Sequence, residues 1–218
     1  MVSARPYVTV IAALGLLGAA AGATQATTSH QHSATSTAKS THQARGVDDG
    51  SFEYPTAPAN SFTTVATGGS IGPWTVTRGN VDHIGRGFWQ AAERNQSVDL
   101  NGGTPGTIAQ TFPTTPGTTY SITYALAGNS GGGAAVKTGR VLIDGQTIQD
   151  FTFDITGKTF TNMGYVGRQV TFVARSASTT LSFASTTANS AHGPVIDDVV
   201  VRAACCSCSC DRGSTGKH

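Results

Sequence analysis

Two runs of the sequence, and a scatter of acids, have residue types found in catalytic or phosphate-binding motifs. Gly128-Asn129-Ser130-Gly131-Gly132 fits G-x-S-x-G. In a nucleophile elbow that serine sits on a sharp turn between a strand and a helix. Here Gly133, Ala134 and Ala135 follow, so the run reads as a flexible loop. A serine nucleophile also needs a histidine base and an acidic group to orient it. Between residues 47 and 203 the histidines are His83 and His192, and neither has the flanking sequence of such a base. Gly213-Ser214-Thr215-Gly216-Lys217 has the end of a phosphate loop without its first half or its strand–helix frame. Paired carboxylates can hydrolyse glycosides. The acids of this region (Asp48, Asp49, Glu53, Asp82, Glu93, Asp99, Asp144, Asp150, Asp154, Asp197 and Asp198) show no spacing that marks a pair. The expectation is a protein without catalysis.

Binding chemistry is better represented. A pyranose presents a C–H face to an aromatic ring, and planar polar side chains read its hydroxyls. The tryptophans are Trp74 and Trp89. Trp74 follows Gly72-Pro73 and opens a strand-like run, which reads as core. Trp89 lies in Gly85-Arg86-Gly87-Phe88-Trp89-Gln90 and is open to either a core or a surface reading. Tyr165, flanked by glycine, is a second surface aromatic. The expected ligand contacts are Trp89 and Tyr165 with Asp82, His83, Arg86 and Gln90.

The elements that must position these residues read as strands. There are 27 glycines, and charged residues make up only 12% of the chain. Small, polar and β-branched residues favour strands joined by tight turns. The formal net charge is +2, with the basic residues scattered, which argues against a nucleic-acid partner. Apolar-alternating runs fall at 51–54, 74–77, 96–100, 107–112, 119–126, 139–143, 149–154, 168–174, 179–184 and 195–202. Tyr120, Ile122, Tyr124 and Leu126 alternate with Ser121, Thr123 and Ala125, the period of a half-buried strand. Asp144-Gly145 between strand-like flanks predicts a tight hairpin, because both turn residues must take positive φ. Many short strands separated by turn signals indicate a β-sandwich or jelly roll.

The ends read differently. Residues 1–23 have a basic start, an apolar stretch and Ala21-Gly22-Ala23, the pattern of a cleavable secretory signal. No stable membrane span is expected after its removal. Residues 24–46 form a Ser/Thr-rich spacer with too few apolar groups to offset chain entropy, and are expected to be disordered. Residues 47–203 are the folded domain. Residues 204–218 are a tail holding all four cysteines, Cys205, Cys206, Cys208 and Cys210. Near neighbours pair poorly with one another. Intermolecular disulfides, soft-metal binding or oxidation without a role are the outlets left open.

Acids also mark both ends of the domain. Asp49-Gly50-Ser51-Phe52-Glu53 opens it and Val195-Ile196-Asp197-Asp198-Val199 closes it. Acids within an apolar strand are costly unless solvated, paired or metal-bound. A calcium ion with carboxylate and carbonyl ligands would staple the two ends together. Strand alternation turns Asp197 and Asp198 to opposite faces.

The opening "GSFE" and closing "GPVIDDVVV" resemble the bookends of galactose-binding-like β-sandwiches. The text between them, "GPWTVTRGNVDHIGRGFWQAAERNQSVDLNG", "GTIAQTF", "TTPGTTYSITYALAGN" and "TLSFAS", resembles the DUF642 family and, more narrowly, the bacterial choice-of-anchor C group. The resemblance covers nearly all of 47–203. Asp49 stands where that family often has Asn, and Tyr165 where Trp is common. The resemblance implies a galactose-binding-like jelly roll outside the cell. It further implies a structural calcium held by Glu53, one of Asp197 and Asp198, and backbone oxygen near Gly50. The function expected is binding of a cell-wall or matrix polysaccharide by a secreted or cell-surface-associated protein without catalysis. A structural or adhesive protein is the alternative, and a glycoside hydrolase a distant third.

Overall fold

The computed structural model describes residues 46–204. In chain order the strands are β1 (Phe62–Ala66), β2 (Ser70–Ile71), β3 (Trp74–Arg78), β4 (Asn80–Ile84), β5 (Ser97–Asp99) and β6 (Thr107–Pro113), then β7 (Thr119–Gly128), β8 (Val136–Ile143), β9 (Gln146–Asp154), β10 (Val166–Val173), β11 (Ser178–Ser185) and β12 (Pro194–Ala203). They form two six-stranded antiparallel sheets. One has the order β1-β4-β5-β12-β7-β10 and the other β2-β3-β6-β11-β8-β9. From β6 to β8 the chain alternates between sheets, as in a jelly-roll sandwich. The expected signal peptide, the spacer up to residue 45 and the four cysteines lie outside the described residues.

Alternation builds the core. Tyr120, Ile122, Tyr124 and Leu126 on β7 are all buried, and so are Ile108 and Phe112 on β6 and Leu181 and Phe183 on β11. Tyr124 meets Phe183 across the sandwich with ring centroids 5.0 Å apart, edge to face. Trp74 is fully buried as expected, packs on Phe52 and Phe183, and donates its indole N–H to Asp49 O at 3.0 Å. Each such side chain contributes about 2–3 kcal/mol by leaving water. The Asp144-Gly145 turn joins β8 to β9 with φ of +48° and +79°, the expected two-residue geometry.

Two differences from the sequence reading matter for the site. Residues 51–54 are not a strand but part of a turn: Asp49 and Phe52 take positive φ, and Asp49 O accepts the Phe52 N–H. The strands β1, β2 and β4 went unread. β4 lacks alternation because it is covered on both faces, and four of its five residues are buried.

That second cover is a layer of its own. On β5, Val98 turns toward the inter-sheet core while Ser97 and Asp99 face the other way, yet all three are buried. The segments flanking β4 and β10 fold over them. Phe88, Trp89 and Phe160 pack together there with centroid distances of 5.2–5.6 Å, and Phe62 closes the edge against Phe88.

Candidate functional site

This covering layer decides the fate of the expected sugar platform. Trp89 is only 6% exposed, and its indole N–H donates to Ser97 Oγ at 2.9 Å. Its faces are taken by Phe88 and Phe160, so the expected stacking role is corrected to a packing role. Asp82 is buried, accepts the Thr64 hydroxyl at 2.6 Å, and is held above the usual carboxylate range mainly by that burial. His83 is buried too. Its Nε2–H donates to Phe52 O at 2.8 Å, and burial lowers its basicity. Both face the protein rather than a ligand. Tyr165 is half-buried, with its hydroxyl enclosed near Ser97, Asp197 and Asp99, and burial pushes that hydroxyl's ionisation well upward. Gln90 is exposed, but its Oε1 accepts the Met163 N–H at 3.1 Å and ties the two covering segments together. Arg86 alone of the six is both exposed and on the wall of a cavity.

That cavity is a hollow of about 350 Å³ lined by Glu53, Thr56, Arg86, Asn95 and Gln96. Its frame is fixed by hydrogen bonds. Glu53 Oε1 accepts the N–H groups of Asn95 and Gln96, each at 2.9 Å. Gln96 Oε1 accepts the Ala57 N–H, and its Nε2 donates to Phe52 O, both at 2.6 Å. Between Glu53 and Thr56 in the chain stands Tyr54, 72% exposed, the most exposed aromatic among the described residues. Its backbone is pinned by the Asp49 carboxylate, which accepts the N–H groups of Glu53 at 2.9 Å and Tyr54 at 3.1 Å. The hollow presents Arg, Asn, Thr and Glu groups that can read hydroxyls, and Tyr54, the chain neighbour of Glu53, is an open ring on which a sugar can stack. Tyr54 was missed in the sequence because 51–54 read as a strand. The Asp49-Gly50 pair, a turn signal, was the clue.

The terminal acids are brought to one short segment. Asp197 is buried and Asp198 exposed, but not by regular alternation: the register shifts between Asp197 and Val200, and Asp198, at a φ of +47°, turns outward where an unbroken strand would point it to the core with Ile196. Asp197 Oδ2 accepts the N–H groups of Ala92 and Glu93 at 2.8 and 2.9 Å, and its Oδ1 that of Asp198 at 2.7 Å. Glu53 does the same for Asn95 and Gln96, while Gly50 O accepts the Val199 N–H at 2.9 Å. The calcium donor set implied by Glu53, Asp197 and Gly50 is thus turned onto amide donors. Asp198 points away, and among the described residues no three Asp, Glu, His or Cys side chains converge as metal ligands. These residues do not fit a bridging cation in this geometry. The opening turn and the last strand are tied instead to one segment, by two carboxylates that cap the backbone of 92–96. Burial pushes the Asp197 carboxyl up to about 7, against the lowering effect of its three amide donors, with the charge of Glu93 adding to the rise.

The G-x-S-x-G run is a loop between β7 and β8 with no helix after it. The imidazole of His192 packs over Gly131 and Gly132, yet no hydrogen bond joins it to Ser130 among the described residues. Asn129, in the same loop, donates through Nδ2 to Asp99 Oδ2 at 2.8 Å. Asp99 is fully buried and also accepts the N–H groups of Asn101 and Gly193. Burial carries its carboxyl to about 7.

The chain is therefore a jelly-roll β-sandwich with a capped turn, a polar hollow and a covered outer sheet face. It belongs to the family described as Protein of unknown function (DUF642), whose model matches residues 45–202. A relative is Halomucin of Haloquadratum walsbyi, 30% identical over 168 residues in a match that covers 74% of this chain; the chain spans about 2% of the length of that curated relative. Among solved structures, a family 35 carbohydrate binding module from Clostridium thermocellum aligns over 68% of this chain and 96% of its own, with 11% identity and a TM-score of 0.42. The CBM35 from Paenibacillus barcinonensis covers 65% of this chain and 99% of its own, at 19% identity and a TM-score of 0.43. The CBM22-1 xylan-binding domain from the same organism covers 68% and 97%, at 16% identity and a TM-score of 0.43.

Proposed function

We propose that this protein is an extracellular, non-catalytic glycan-binding module that takes a sugar of a cell-wall or matrix polysaccharide at the hollow beside Arg86. The observation that carries the reading is a polar hollow lined by Glu53, Thr56, Arg86 and Asn95, with Tyr54, the next residue along the chain from Glu53, open to solvent. The ring supplies a stacking face. Arg86 and Asn95 donate to hydroxyls, and Glu53, already anchored through Oε1, keeps Oε2 as an acceptor. The hollow is shallow and its walls are pre-formed, which suits one or two rings of a polymer rather than an enclosed small molecule. Export rests on the signal-like residues 1–23, and attachment through intermolecular disulfides of Cys205, Cys206, Cys208 and Cys210 is part of the same proposal. Deleting 204–218 and measuring surface retention tests that attachment; unchanged retention rejects it.

The binding test is retention of the full chain on a panel of insoluble and immobilised polysaccharides, with Tyr54→Ala and Arg86→Ala alongside. Loss of retention in either variant at unchanged melting temperature supports the site. Retention unaffected by both variants overturns it.

A structural or adhesive role is the second reading. Edge strand β10 exposes Val166 and Val173, and a groove of about 750 Å³ runs between it and β9, lined by Ile143, Ile148, Phe172 and Val173. Concentration-dependent self-association of the full chain, reduced by Val173→Lys, would favour that reading.

A further inference from the structure

The sheet that contains β3, β6, β11, β8 and β9 has a solvent face no part of the foregoing site uses. Its inward residues are Trp74, Val76, Ile108, Leu181, Phe183 and Val141, so the residues between them point outward, and a bulge between Val76 and Arg78 brings Arg78 to the same outer face. Pairing sets them in a row. Arg78 on β3 lies opposite Thr107 on β6, Thr107 opposite Ala184 on β11, and Ala184 opposite Arg140 on β8. The next row includes Ser182 opposite Leu142. The small side chains sink between the two arginines and leave a trough of about 420 Å³. Three strand spacings separate the arginine backbones, about 14 Å.

The two guanidinium groups are held differently. Arg78 donates through Nε to Thr107 Oγ1 at 3.2 Å and through Nη2 to Ser185 O at 2.7 Å. Both acceptors are neutral, so its charge is oriented without being compensated by a carboxylate among the described residues. Arg140 faces Asp150, Nε to Oδ1 at 2.9 Å, with both side chains more than half exposed. An exposed pair of this kind is worth about 0–1 kcal/mol and yields readily to a competing anion. Asp144, beside Gly145 at the margin, is exposed, does not line the trough and accepts the Thr180 N–H at 2.8 Å. The trough is thus a flat floor of methyl and hydroxyl groups with a positive fork at each end.

We propose that this face binds an anionic polysaccharide, whose carboxylate or sulfate groups are held by Arg78 and Arg140 while its rings lie over Thr107, Ala184 and Ser182. The spacing and the planar forks suit negative groups repeated along an extended chain. An acidic peptide is disfavoured because β6, β11 and β8 are interior strands, with both backbone edges already paired, so no strand can be added there. The site shares no residue with the Tyr54–Arg86 hollow.

The test is retention of the full chain at low ionic strength on immobilised polygalacturonate, dextran sulfate, neutral dextran and poly-glutamate, with Arg78→Gln, Arg140→Gln, Arg202→Gln and Arg86→Ala. Retention on an anionic polysaccharide is expected. It should weaken about tenfold or more in each trough variant, since each removes a charge-assisted contact, and stay intact in the Arg202→Gln control, an exposed arginine outside both sites. Polygalacturonate alone would identify a carboxylate ligand, and dextran sulfate alone a sulfate ligand. No retention on either, equal retention by Arg140→Gln, or equal retention on poly-glutamate overturns the proposal. Arg140 is exposed, so its variant keeps the fold and the comparison stays informative. Neutral-glycan retention lost in Arg86→Ala reports on the hollow separately.

Discussion

Trp89 donates its indole N–H to Ser97 Oγ at 2.9 Å, and the bond seats the ring against β5, beneath Phe88 and Phe160. The residue with the highest potential for sugar stacking is thereby spent on holding the covering layer to the sheet. Trp89→Ala should cost about 3–5 kcal/mol, the usual penalty for deleting a buried aromatic, read by urea unfolding. Trp89→Phe keeps most of the apolar area and strands the serine hydroxyl, a loss of about 1–2 kcal/mol. Folded Trp89→Phe should retain polysaccharide like the parent. Weaker retention at unchanged stability would put a sugar on Trp89 after all.

The buried carboxyls of Asp99 and Asp197 give the domain an acid-favouring stability profile. Their folded values lie near 7, above an unfolded value near 4, chiefly because burial disfavours the charged form. Between those limits the folded state binds more protons than the unfolded one, so stability falls as pH rises from about 4 to about 7 and levels off above it. Melting at pH 8 should come several degrees below melting at pH 5.5. Asp197→Asn removes one titrating group and should flatten the slope. An equally steep slope in that variant would assign the effect elsewhere.

Calcium should leave this domain's melting temperature unchanged. The oxygens of Glu53, Asp197 and Gly50 that would hold it accept amide N–H groups instead. Scanning calorimetry with a chelator and with added calcium checks this, and a shift of several degrees on chelation would show that the 92–96 segment rearranges around an ion.

Two glycines separate backbone strain from steric fit. Gly145 has a φ of +79° with open space around an added Cβ, so Gly145→Ala should cost about 1 kcal/mol, from the conformation alone. At Gly85 an added Cβ would overlap Pro58 O, which is backbone and cannot swing aside. Gly85→Ala should be markedly more destabilising and loosen the wall that positions Arg86. Equal melting temperatures for the two variants would contradict this packing.

Much of the scaffold was legible because it depends on local rules. The alternation in 120–126, the Asp-Gly hairpin and Trp74 as core each follow from the two-residue period of a strand or from the φ a turn demands, whereas the exposure of Asp198 comes from a bulge in β12 that the period does not show. β4 carried no clean period because a second layer covers its outer face, and that cover comes from segments far apart in sequence.

The site followed the same division. The sequence by itself determined the all-β sandwich, the family, and a surface arginine at position 86 among its candidates. Only tertiary structure decided that Trp89, Asp82 and His83 are enclosed, that Tyr54 stands open, and that Arg78 and Arg140 share one row. Exposure and cross-strand neighbours are set by which distant strands pair. Residue type and spacing along the chain encode the face a side chain takes, but not what comes to cover it.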